Sequence, residues 1–174
     1  WTRNAGPARP LHVHLSEQPA ENEACMTATG MTPAGLLAQA DFWGPNAVAV
    51  HATHLSDEDV RILGESHAFA AICPTTEADL ADGIPRAADL SDAGVRLCVG
   101  SDENVSIDPF EEIRRLDGNQ RLVSGRRDTF DPAGLMAMMV RDGQSASGWS
   151  DAGDLRVGGL ADFVVVDTSR VALA

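Results

Sequence analysis

Apolar residues gather in four short runs, separated by longer polar or amphipathic stretches. The runs are 11–15 (LHVHL), 48–52 (VAVHA), 68–73 (AFAAIC) and 95–99 (VRLCV). Val, Ile, Leu and Ala dominate them, as in strands covered on both faces. The intervening stretches predict helices. One covers 21–29 and is closed by Gly30; the next opens at Thr32-Pro33, with Pro33 in the first turn. Ser56 is a predicted N-cap ahead of Val60, Ile62 and Leu63, and Asp59 three residues on completes a near capping box. Gly83 and Pro85 interrupt 77–90, so that stretch predicts a loop with one short helix at most.

Strand, loop and helix therefore repeat in order, which predicts an α/β fold with parallel strands and right-handed crossovers. In such folds chemistry gathers at the C-terminal ends of the strands. The polar residues obey that rule. His14 and Glu17 follow the first run, His51 and His54 the second, Thr75, Thr76 and Glu77 the third, and Asp102, Glu103 and Asn104 the fourth.

Beyond residue 106 the pattern changes. A helix is predicted over 109–123 with Phe110, Ile113 and Leu116 on one side. A second is predicted over 133–141, capped by Asp131 with Pro132 at its first position. Its Met136, Met138 and Met139 read as packing residues. A Gly-rich turn region spans 149–159, and 160–167 predicts a strand centred on Val164-Val165-Val166.

Composition narrows the function classes. The chain has 174 residues, 44% hydrophobic and 22% charged, which suits a globular domain. Thirteen Lys plus Arg against 26 Asp plus Glu give a formal charge of -13, which argues against nucleic acid or an anionic membrane as partner. No run reaches the length of a membrane-spanning helix. Cys25, Cys73 and Cys98 are odd in number and widely spaced, so a reducing, cytoplasmic setting without disulfides is expected. The chain opens at Trp1 with no Met and no signal-like segment, which suggests a fragment or a processed product.

Three segments carry candidate chemistry. In His12-Val13-His14-Leu15-Ser16-Glu17, strand alternation puts both histidines on one face, with His14 nearest the end. A carboxylate such as Glu17 beside a metal-bound water can take its proton and pass it to a leaving nitrogen. Hydrogen-bonded interior histidines and a solvated glutamate are the other reading. In Ala49-Val50-His51-Ala52-Thr53-His54, His51 shares the parity of Ala49 and Thr53, read as inward, where it could steady developing charge. His54 reads as structural. In Cys98-Val99-Gly100-Ser101-Asp102, the aspartate lies at the strand end with Gly100 leaving room, placed to bind a cation or as part of an ordinary turn. Glu77, Asp79 and Asp82 make an acidic loop, read as solvated, with substrate contact the alternative for Thr75, Thr76 and Glu77. Arg96 has the inward parity, and the arginines of 114–127 read as helix surface.

Taken in order, HVHLSE, VHATHLS and GSD resemble the second half of a deaminase of the amidohydrolase superfamily. The stretches 12–25, 73–90 and 100–125 resemble the formimidoylglutamate deiminase family in particular, and GDLRVGGLADFVVVD (153–167) resembles the superfamily's return strand into its small β domain. The resemblance implies a partial (β/α)8 metal-dependent hydrolase barrel, strands five to eight, over 1–148, and a return segment into the small β domain over 149–174. It implies His14 as a ligand of one zinc ion, Glu17 as general acid/base, His51 as catalytic, and Asp102 as metal ligand and catalytic residue. The implied reaction is hydrolysis of N-formimino-L-glutamate, a small-molecule substrate, to N-formyl-L-glutamate and ammonia in histidine degradation. Guanine, cytosine or triazine deaminases share these residues, and an inactive structural fragment is the non-enzymatic alternative. Two ligands of the family's first-strand HxH have no counterpart here, so weak zinc affinity and little activity are expected of this chain alone, with a homodimer possible at full length. The family's histidine near Asn104 is also missing.

Overall fold

The computed structural model describes residues 9–169; Trp1 and the end of the tail, 170–174, lie outside them. Four strands form one parallel sheet in the order β1 (Leu11–Leu15), β2 (Ala47–His51), β3 (Phe69–Ile72), β4 (Arg96–Val99). Sequential order with every neighbour parallel requires a crossover between each pair. Helices α1 (Pro19–Thr29) and α2 (Pro33–Gln39) make the first, and α3 (Asp57–Glu65) the second. The third contains two short helices, α4 (Pro74–Asp79) and α5 (Ala87–Asp92), where the sequence predicted one at most.

The helix ends follow local chemistry. Gly30 adopts φ +74 and returns its N–H to Met26 O, closing α1. Ser56 Oγ accepts from the Asp59 N–H at 3.2 Å, while Ser56 N–H donates to Asp59 Oδ2 at 3.0 Å, so the capping box is complete. Asp131 accepts from Gly134 N–H at 2.8 Å to start α7 (Pro132–Ala137). Asp108 caps α6 (Pro109–Ser124) through Phe110 and Glu111 N–H. The helix predicted to end near 141 instead runs on through a π-helical turn, Met138–Asp142, into α8 (Gly143–Ala146).

The sheet register separates two faces. His12, Val48, Phe69 and Arg96 are cross-strand partners, as are His14, Val50, Ala71 and Cys98. The opposite face carries Leu15, Ala49, Ala70 and Leu97, packed with Leu63, Leu90 and Leu116 from α3, α5 and α6. On the histidine face Val48, Phe69 and Cys98 pack against Ala146, the Arg96 guanidinium lies 3.7 Å from the Phe69 ring centroid, and His12 Nε2 is 3.0 Å from Ala146 O. Met138 is buried in the core, whereas Met136 is exposed.

One expectation is met by another route and one is corrected. Ala49 faces the helices, so alternation alone would turn His51 away from the site; His51, the last residue of β2, takes φ +65 and lies on the inward face beside His14, their ring centroids 5.2 Å apart. The segment 160–167 is not a strand among the described residues. A strand needs a hydrogen-bonding neighbour, and the only described ladders are those of β1–β4; Val164 and Val165 are exposed.

Candidate active site

The C-terminal ends of β1, β2 and β4 converge. The loop after β1 is held by Glu21 of α1, whose two carboxylate oxygens accept from Ser16 N–H at 2.9 Å and Glu17 N–H at 3.0 Å. It is stitched to β2 by Ala52 N–H to Leu15 O and His54 N–H to Ser16 O. Ser16, His51, Ala52 and Asp102 all have positive φ, between +41 and +65. Such conformations cost non-glycine residues of order 1 kcal/mol or more each and cluster at functional sites. Here they turn successive strand ends toward one point.

At that point His14 Nε2 lies 3.5 Å from Asp102 Oδ1, and His51 Nε2 lies 3.5 Å from both Asp102 Oδ2 and Glu17 Oε1. One donor atom each from His14, His51 and Asp102 falls within 4.8 Å of the others. These distances are long for hydrogen bonds. They are close to the ~3.4 Å that separates two ligands held ~2.1 Å from one tetrahedral ion. His51 is wholly buried, yet its Nε2 has no hydrogen-bond partner. The His14 imidazole and the Asp102 carboxylate are donors that suit a borderline cation such as zinc, and the unpaired His51 Nε2 faces the same space.

Behind His51 stands Glu77, also buried, with Oε1 3.4 Å from His51 Nδ1 and accepting from Cys73 N–H at 2.8 Å. Burial pulls the His51 pKa down, but Glu77, Glu17 and Asp102 outweigh it and the net shift is upward. Burial raises Glu77, with His51 and the Cys73 N–H opposing, and raises Glu17. The buried thiols are inert: desolvation pushes Cys98 up to about 12 and Cys73 up as well.

The acidic loop is not the solvated face that its composition suggested. Asp79 is exposed, but Glu77 and Asp82 are buried. Gln18 Nε2 donates to Asp82 Oδ1, and His54 Nε2 donates to Asp82 O at 2.7 Å, which gives His54 its structural role. Thr75 and Thr76 are likewise committed to the fold: Thr75 donates N–H and O–H to the Glu112 carboxylate at 3.1 and 2.5 Å, and Thr76 O–H donates to Ser101 O at 3.3 Å. Glu21 and Glu112 carried no sequence signal, since both fall in acid-rich helical stretches.

A parallel α/β sheet with histidines and carboxylates at consecutive strand ends defines a metal-hydrolase type of site. The family model described as "Amidohydrolase family" matches residues 8–173, and the chain belongs to that family. It is 34% identical over 171 residues to formimidoylglutamate deiminase of Pseudomonas aeruginosa, covering 95% of this chain and 38% of that protein. It is 30% identical over 171 residues to 5'-deoxyadenosine deaminase of Methanococcoides burtonii, covering 94% and 38%. The crystal structure of a zinc-bound adenosine deaminase from Xanthomonas campestris superposes with a TM-score of 0.88 at 27% identity, over 94% of this chain and 38% of that one. The chain thus spans less than two fifths of the length of these relatives.

Proposed function

We propose that the protein carrying this chain is a zinc-dependent deaminase that hydrolyses N-formimino-L-glutamate to N-formyl-L-glutamate and ammonia. The observation that carries this reading is the convergence of His14, Glu17, His51 and Asp102 from three strand ends. The 34% identity to formimidoylglutamate deiminase supports the substrate. In this reading 1–148 supplies part of a (β/α)8 barrel, 149–174 leads into a small β domain, and the enzyme is cytoplasmic.

His14 and Asp102 are the zinc ligands in this chain. Zinc held there supplies Lewis acidity, making water able to lose a proton near neutral pH. Glu17 accepts that proton at its carboxylate and delivers it to the leaving nitrogen. The amidine carbon gains the water oxygen, its C–N bond breaks, and the nitrogen leaves as ammonia. His51 presents Nε2 to the developing charge, its ring oriented from behind by Glu77.

The likeness to 5'-deoxyadenosine deaminase supports a second reading, an aminopurine nucleoside as substrate. Ammonia release from N-formimino-L-glutamate and from 5'-deoxyadenosine by the zinc-loaded, full-length protein separates the two. The first substrate is expected to exceed the second at least tenfold in kcat/KM. The reverse preference assigns the nucleoside.

A further inference from the structure

Asp82 is a buried carboxylate beside this site that zinc binding, proton transfer and the orientation of His51 leave unused. It is 2% exposed, and its Oδ2 has no hydrogen-bond partner. A carboxylate oxygen left unpaired in the interior is costly unless something else fills its place. One oxygen each of Asp82 and Glu17 and a ring nitrogen of His51 all lie within 4.8 Å of one another, so Asp82 borders the reacting side of the site. Its other oxygen, Oδ1, accepts from the exposed Gln18 amide. Planar N–H donors therefore already suit this carboxylate, and an exposed side chain can turn aside on nanosecond timescales.

The charge around Asp82 points the same way. Glu17, Glu77, Asp82 and Asp102 bring four carboxylates to the site, and the ion pairs of Glu17, Glu77 and Asp102 are with His14 and His51. The arginines Arg61, Arg86, Arg115 and Arg121 pair elsewhere, with Glu58, Glu65, Asp57, Asp89, Glu111 and Asp117.

We infer that Asp82 is a specificity residue: its free oxygen accepts an N–H from a cationic amidinium group, so the site selects charged amidines over neutral amides and aminopurines. This deepens the proposed deaminase reading and rests on it for the orientation of the ligand. Charge-assisted hydrogen bonds of this kind are worth about ten- to a hundredfold in binding.

The test is binding of acetamidinium and of acetamide to the zinc-loaded, full-length protein, followed by NMR chemical-shift titration, alongside Asp82→Asn and Asp82→Ser. Wild type is expected to prefer acetamidinium at least tenfold. Both variants are expected to lose that preference while keeping the wild-type circular dichroism and zinc content. The serine variant guards against misplaced asparagine donors. Absence of the preference in wild type, or its persistence in either folded variant, overturns the assignment even if N-formimino-L-glutamate is turned over. A fall in zinc per chain in the variants overturns it in favour of a second metal site. Loss of the preference in a protein that deaminates neither substrate leaves Asp82 as an amidinium anchor and removes the deaminase reading instead.

Discussion

His51 and Glu77 face each other across 3.4 Å between imidazole Nδ1 and carboxylate Oε1, both side chains within 1% of complete burial. One ring nitrogen is thereby committed to the protein, and the other is left for the site. A buried histidine with both nitrogens unpaired would carry a penalty with no return.

Removing Glu77 leaves His51 Nδ1 and the Cys73 N–H without an acceptor. Glu77→Ala is expected to lower stability by about 2–6 kcal/mol, at 1–3 kcal/mol for each buried polar group left unsatisfied. Glu77→Gln, which keeps a carbonyl acceptor, is expected to lose less than half as much. Urea denaturation of the full-length protein measures both. Equal losses would show that the contact is packing rather than hydrogen bonding.

Gly64 in α3 sits directly against the backbone of Ala93 beyond α5; an added Cβ would fall inside van der Waals contact of the Ala93 carbonyl oxygen. Gly64→Ala improves helix propensity by about 1 kcal/mol, yet the clash is expected to cost about 1–3 kcal/mol. A net loss in thermal unfolding temperature checks the packing of α3 on α5. A gain would mean that the two helices can separate.

Burial raises the pKa of Glu112, with the Thr75 donors opposing. A carboxyl whose folded pKa is raised binds its proton more tightly when folded, so its contribution is full below the unfolded value, near 4.5, and is lost as pH rises through the folded value. Glu112→Gln is expected to flatten the decline in stability between pH 4.5 and neutrality. An unchanged slope in denaturation midpoints across that range would rule out Glu112 as the source.

The order of elements and their caps was legible because each rests on local chemistry. Ser56 with Asp59, Gly30 and Asp131 need only their own neighbours to act. So was the convergence of His14, Glu17, His51 and Asp102, since strand ends in a parallel sheet share one edge. What escaped depended on tertiary context. The turn that carries His51 inward against the parity of Ala49 was not legible, because alternation stops where φ becomes positive and nothing in VHATH marks it. Asp82 looked solvated because burial of a loop carboxylate is decided by Gln18 and His54, 64 and 28 residues away. The run 160–167 has the pattern of a strand but no described neighbour to pair with.

In the proposed mechanism Glu17 moves the proton at a zinc site built on His14 and Asp102. The most direct measurement pairs zinc content with ammonia release from N-formimino-L-glutamate for full-length wild type, Glu17→Gln and Asp102→Asn. Glu17→Gln is expected to retain zinc and to lose kcat by about 10²–10⁴-fold, the usual worth of a general acid/base. Asp102→Asn is expected to lose zinc and activity together. Wild-type turnover in Glu17→Gln, or full zinc content in Asp102→Asn, would remove these residues from those roles.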